Sequence, residues 1–268
     1  APDSITLDYL DLYGLKPSLE RVRASGIPVR VASPRILKPG EEKIAEFLQR
    51  LDVPVLVRPV GLVHRWRGSV QELTGDFSLN AANAITARML LDMGLERLTP
   101  GHDLNAQQVV TLAQEAGANR IEPIAWGHMP VFHTEHCVFC RFLSTGTTYK
   151  DCGRPCESHV VSVRDESGRD HAVLADTGCR NTVFSGPAQD ASLYLDTWLG
   201  AGIRHFRLEF AHETPGQLAA VAALFRDALR GRIRGRTLAD ALRAHSPQGT
   251  TQGSLFIPKD YAQLPVLQ

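Results

Sequence analysis

The 268-residue chain has no cysteine before residue 137 and none after 179, no excess of either charge, and no apolar run long enough to cross a bilayer. Each absence removes a class of function. Lys plus Arg and Asp plus Glu both number 29, so the chain lacks the basic surface with which a general nucleic-acid binder holds phosphates; only a local basic groove stays open. A spanning helix needs about 20 apolar residues, and the N-terminal stretch contains no charged segment followed by an apolar core. The expectation is a protein without a membrane partner, although Ala1 in place of Met leaves room for a longer chain. Protease signatures are missing as well. His212 and Glu213 are followed by Gly216 where H-E-x-x-H requires a second histidine, residues 133–136 lack the glutamate at the second position, and no G-x-S-x-G occurs. Cys137 beside His136 is a poor nucleophile and base pair, because adjacent residues seldom turn their side chains toward each other.

What is present is ordinary globular material, 43% hydrophobic and 22% charged, enough for a sizeable core. Short β-branched runs alternate with segments of helical period, the grammar of βαβ units. Candidate strands cover residues 5–10, 28–33, 54–60, 72–79, 95–99, 120–125, 171–176 and 205–210. Between them, residues 41–51 place Ile44, Phe47, Leu48 and Leu51 on one helical face. Asn105 caps a helix that Gly117 ends, and Thr214-Pro215 opens another with Leu218, Val221, Phe225 and Leu229 as its stripe and Gly231 after it. Most strand starts lie about 20 to 26 residues apart, which one strand, one helix and two short loops would fill. The expected fold is therefore α/β, a (β/α)8 TIM-barrel-like domain over residues 1–245. An open doubly wound sheet is the rival, but no Gly-rich phosphate fingerprint follows an early strand.

One gap breaks the rhythm. Residues 127–170, between the sixth and seventh expected strands, hold four of the five cysteines and read as a cysteine-rich insertion with a small hairpin from 160–164 through 165–168. The basic run 230–236 reads as a solvated helix end, and residues 246–268 as an irregular closing segment.

Five is an odd number, and confinement to one stretch is unlike a disulfide framework. The thiols are expected as metal ligands in a reducing, cytoplasmic compartment. Four thiolates suit tetrahedral zinc or an iron-sulfur cluster alike. Zinc would take the local pairs Cys137, Cys140, Cys152 and Cys156, leaving Cys179 as a small hydrophobe; a cluster could take Cys137, Cys152, Cys156 and Cys179. The barrel reading favours the second set, since Cys179 follows the seventh expected strand, the others follow the sixth, and neighbouring strands deliver their loops to one rim.

Several blocks carry a resemblance: Gly75-Asp76-Phe77-Ser78-Leu79-Asn80, Met129-Pro130-Val131 leading to His136-Cys137, Asp151-Cys152-Gly153-Arg154-Pro155-Cys156, Ala175-Asp176, and Cys179-Arg180-Asn181-Thr182. Over roughly residues 55–186 the chain resembles peptidase family U32, the collagenase-like group of unsettled catalytic type. The resemblance implies a 4Fe-4S cluster on Cys137, Cys152, Cys156 and Cys179, with Cys140 as the surplus thiol. It further implies oxygen-independent hydroxylation of RNA or of a small aromatic ring, with prephenate as a hydroxyl donor for the RNA reactions. Where short members have a Gly and a Cys soon after the first cysteine, this chain has Cys140-Arg141-Phe142. It is closer to the middle of the longer members, which implies further domains. Two other readings stay open: peptide-bond hydrolysis, as the family name asserts, and a zinc-stapled binding module of a larger protein.

Other rim candidates are Arg58, Asn80, His102, His128, Arg180 and Glu209, each at or after a strand end. Prephenate is a dicarboxylate, so Arg58 and Arg180 are the expected guanidinium forks, with Asn80 and His128 completing the substrate set. Asp76 is expected to orient loops, and no catalytic residue is assigned.

Overall fold

The computed structural model describes residues 1–9, 12, 14–148, 150–176 and 178–258. Five short strands, β1 (Ile5–Leu7), β2 (Val29–Ala32), β3 (Val55–Val57), β4 (Leu73–Gly75) and β5 (Arg97–Leu98), pair in parallel in that order. Residues of β3 and β4 are buried throughout, as expected of strands covered on both faces by helices. Those helices are α1 (Leu15–Ala24), α2 (Glu42–Arg50), α3 (Val60–Trp66), α4 (Ala84–Asp92) and α5 (Ala106–Ala116). Gly75, the last residue of β4, is closely packed: a Cβ there would lie 2.6 to 2.9 Å from the Leu98, Leu95 and Leu79 side chains.

A parallel bridge from Leu98 to Ile121 carries the sheet edge toward β6 (Ile124–Gly127). Next come β7 (Pro130–Thr134), α6 (Val138–Leu143), β8 (Val161–Arg164), β9 (Asp170–Asp176), β10 (Arg180–Phe184) and β11 (Ala188–Asp190). The chain continues through α7 (Leu195–Gly200), β12 (Arg207–Leu208), α8 (Pro215–Leu229), α9 (Gly235–Arg243) and β13 (Thr250–Thr251). Here β12 lies parallel to β6, β11 runs antiparallel on the other side of β6, and β13 joins β11. The remaining four strands form a separate antiparallel sheet in the order β7-β10-β9-β8. The molecule is thus a mixed α/β fold with a parallel sheet. Among the described residues the strand pairs make three sheets, and none joins β12 to β1 to close the expected ring.

The seventh expected barrel strand needs correction. Residues 171–176 lie in β9, which pairs antiparallel with β8 and β10 and takes no part in the parallel sheet. The reason is local: Asp165 accepts from Ser167 Oγ and Arg169 N, so the chain turns back at once and β9 closes the shortest available loop. Several expected strands are also shorter. The strand over 72–79 stops at Gly75, where Asp76 accepts from Phe77 N and starts a single 3-10 turn, Phe77–Leu79. The expected strand at 120–125 starts only at Ile124, after a 3-10 turn at Ala118–Arg120. In the closing segment, β13 pairs with β11, so the described part is not wholly irregular; residues 259–268 and Leu10 lie outside the described residues.

Two hydrophobic clusters of unequal size follow from this layout. The large one runs through the parallel sheet and its helices and includes the fully buried Trp66, Trp126 and Trp198. The antiparallel lobe has its own small cluster, with Phe139, Val173 and Val183 as its buried members. No helix among the described residues is long and apolar enough to cross a membrane.

Candidate functional site

All five thiols are free and come together in the antiparallel lobe. Cys137 caps α6, its Sγ accepting from Cys140 N at 3.4 Å, while Val138 N donates to Asn181 Oδ1 at 2.7 Å and pins the helix to β10. The Cys140 thiol donates to Gly146 O at 3.3 Å. Asp151 gathers the next turn by accepting from Thr147 N, Thr148 N and Thr148 Oγ1, which sets the direction of Cys152. The two cysteine turns touch at Gly146, where a Cβ would lie 2.5 Å from Asp151 O and 2.6 Å from the Cys152 Cα. Cys156 follows the left-handed Arg154, and Cys179 is itself left-handed, with φ 63°. A non-glycine residue in that region is strained, and such strain concentrates at functional sites.

Electrostatics shows how tightly the thiols are grouped. Desolvation pushes Cys179 up, and Cys137, Cys152, Cys156 and Cys140 each push it further. Cys140 and Cys156 are raised in the same way, by desolvation first and then by neighbouring thiols. Such mutual opposition to ionisation is what a bound cation relieves, because thiolate is the ligating form. The donor set therefore fits either zinc or an iron-sulfur cluster. Cys179 reaches it from the turn between β9 and β10 and not from the end of a parallel strand.

The parallel sheet carries a second constellation, of buried charges. Asp76, with a fully buried side chain, accepts from Arg58 Nε at 2.8 Å and from Arg207 Nη2. Arg58 also pairs with Asp8, whose side chain is 44% exposed, and Arg207 lies 3.0 Å from Glu209 and 3.7 Å from Glu122. Arg30 holds the other side of Glu122. Burial alone would raise the Asp76 carboxyl, but the Arg207 and Arg58 guanidiniums outweigh it and hold it far below the usual carboxylate range. Glu209 is pushed up by burial against the pull of Arg207. Beside this network Arg35 lies over the Phe77 ring, 5.0 Å from its centroid, and Phe77 meets the His102 ring at 4.1 Å. Burial lowers His102 to about 4.

The substrate residues named from the sequence are each engaged by the fold. Arg58 is in the network and engaged by Asp8 and Asp76. Arg180 is fully buried and clamps the lobe to the segment before α2, with Nη2 at 2.7 and 2.8 Å from the two oxygens of Glu41 and Nε at 3.2 Å from Glu135. Asn80 takes a left-handed conformation, φ 55°, after the 3-10 turn; the cap of α4 is Asn83. His128 is buried after β6, and its Nδ1 is 2.7 Å from Ser185 O.

Two residues passed over in the sequence stand beside His128. The ligand atoms of His128, His212 and Glu213 all lie within 4.8 Å of one another. The His128 and His212 ring centroids are 4.3 Å apart, and partial desolvation together with His128 lowers His212 although it keeps an exposed edge. The signal was available: His212 and Glu213 follow the eighth expected strand, and strand ends of such sheets carry sites.

Comparison with known proteins adds three findings. A family model described as Peptidase family U32 matches residues 41–262. A solved structure described as the U32 peptidase Mk0906 is similar over 47% of this chain and 62% of that one, at 12% identity and a TM-score of 0.41. No curated protein matches.

Proposed function

Because this chain belongs to peptidase family U32, we propose that Cys137, Cys152, Cys156 and Cys179 hold a 4Fe-4S cluster, and that the protein hydroxylates RNA or a small aromatic substrate without oxygen. The convergence of five free thiols, three of them raised by desolvation and by their thiol neighbours, carries the reading. The small lobe core is a second support. Three buried apolar side chains offset little of the ordering cost of a lobe this size, roughly 1.5 kcal/mol per residue, and folds in that position use a metal staple.

When bound, the cluster supplies electron transfer. The chain's own residues position the other participants. Arg58 offers the guanidinium fork, and Asp8, its exposed partner, is the group that a substrate carboxylate such as that of prephenate displaces. Phe77 under Arg35 gives a flat, cationic face on which a planar ring stacks. Arg180 holds the cysteine lobe in register with that surface through Glu41 and Glu135.

Anaerobic purification followed by a visible spectrum and assay of iron, sulfide and zinc tests the proposal. Iron and sulfide in equal amounts with a broad charge-transfer absorption are expected. A colourless protein with zinc at the thiols would refute the hydroxylase and establish the second reading, a zinc-stapled module, which the small lobe core also favours.

A further inference from the structure

His128, His212 and Glu213 form a group apart from the thiols. Ser185 O, against which His128 rests, and Cys179 lie at opposite ends of β10, roughly 20 Å apart along an extended strand. His128 comes from the end of β6 and Glu213 from the segment after β12, and these two strands are parallel neighbours, so both residues emerge at one edge of the sheet.

The hydrogen bonding leaves a specific vacancy for a cation. A carbonyl can only accept, so the 2.7 Å contact with Ser185 O puts the proton of the neutral His128 ring on Nδ1 and leaves Nε2 as a bare lone pair. That lone pair faces Glu213 Oε1 at 3.6 Å, with both side chains at most 5% exposed. Glu213 Oε1 is buried and has no hydrogen-bond partner. Its other oxygen is held by Ala211 N at 2.8 Å and His212 N at 3.1 Å, which aims Oε1 at the imidazole. Two buried acceptors facing each other are unfavourable unless a cation, or a second proton on the imidazole, sits between them. The third donor, His212, is solvent-exposed and gives an ion a route in.

We propose that His128, His212 and Glu213 bind one divalent transition-metal ion, zinc by its donor set, with an open position facing solvent. Two imidazoles and a carboxylate are a catalytic type of zinc site, with the fourth position left to water or to an oxygen donor of the substrate. Tetrahedral ligands about 2.1 Å from the ion stand about 3.4 Å apart, close to the 3.6 Å between His128 and Glu213, with His212 within 4.8 Å of both. The Ser185 carbonyl behind His128 and the two backbone amides behind Glu213 supply the outer contacts that fix ligand orientation. A ligand of this site is thus a water molecule, a carboxylate or an amide carbonyl.

Cobalt(II) reports the donor type directly. Added to chelator-stripped protein whose thiols have been alkylated, it should give visible ligand-field bands without thiolate charge transfer in the near ultraviolet. His212→Ala and Glu213→Gln should each lose those bands and one equivalent of bound zinc while leaving the iron content of untreated protein unchanged. Zinc should raise the Tm of wild type and not of His212→Ala. Equal zinc in wild type and both variants would overturn the site and leave His128 and Glu213 as an ion pair with a doubly protonated imidazole. If neither variant folds, the wild-type cobalt spectrum decides: absence of ligand-field bands refutes the site. None of these outcomes depends on whether the thiols carry iron.

Discussion

Replacing Asp76 by Asn tests the buried charge network with almost no change of shape. The carboxylate balances two guanidiniums, and the side chains of Asp76, Arg58 and Arg207 are 0%, 13% and 6% exposed. Removing one member of a buried pair costs about 3 to 5 kcal/mol, because the remaining charge is left uncompensated. Here Arg58 keeps Asp8 while Arg207 keeps Glu209 and Glu122, which puts the expected cost near the lower figure, about 3 kcal/mol. The loss should appear as a lower urea midpoint at unchanged slope. Its pH dependence is a second check. The folded Asp76 carboxyl titrates far below its usual value of 3.8, so its stabilisation is complete above that value and falls only as pH drops below it. Asp76 itself therefore adds no pH dependence to the gap between wild type and Asp76→Asn from pH 5 to 8; a slope there reports Glu209, which the Asp76 carboxylate helps to push up and which the substitution releases. A cost under about 1 kcal/mol, typical of exposed pairs, would refute the network.

Within the cysteine site, Cys179→Ala should abolish bound iron and Cys140→Ala should leave it, as read by iron assay after anaerobic purification; the reverse pattern would show that Cys140 is the fourth ligand. Asp8→Asn frees the Arg58 fork and should tighten calorimetric binding of a dicarboxylate such as prephenate several-fold, whereas unchanged affinity would remove Arg58 from the substrate set. His102 is held at about 4 against an ordinary 6.5, so the folded protein resists protonating it: stability should be full above pH 6.5 and fall by about 3 kcal/mol toward pH 4. His102→Asn should flatten that limb of the curve, and parallel stability curves would sink the assignment.

Local structure was readable wherever its cause was local. Asn105 with Gln108 and Thr214 with Gln217 form capping boxes whose members are three residues apart, and both helices start there. The stripe on α8 was only partly right: Val221 and Phe225 are buried, while Leu218 and Leu229 are about half exposed. Residues 171–176 were misassigned because a short apolar run has the same composition in a parallel sheet as in a hairpin. What separates the two is the partner strand, and here the Asp165 turn supplies it.

The chemistry divides along the same line. Counting and spacing alone picked out the cysteines as one site, since five thiols confined to two close pairs and a near neighbour have few other uses. Arg58 and Arg180 were recognisable as strand-end residues, but their engagement by Asp8, Asp76, Glu41 and Glu135 depends on segments brought together by folding. His128 and Glu213 meet only because β6 and β12 are parallel neighbours, a pairing between residues far apart in the chain that no periodicity encodes. The sequence by itself determined the α/β alternation, the helix caps and the local thiol pairs, all set by near neighbours, whereas Cys179 joins those pairs only through the β9–β10 turn. Tertiary structure decided which charges are buried together, which arginines are already occupied and where a lone pair faces a carboxylate, because those depend on distances that close only when the sheets assemble.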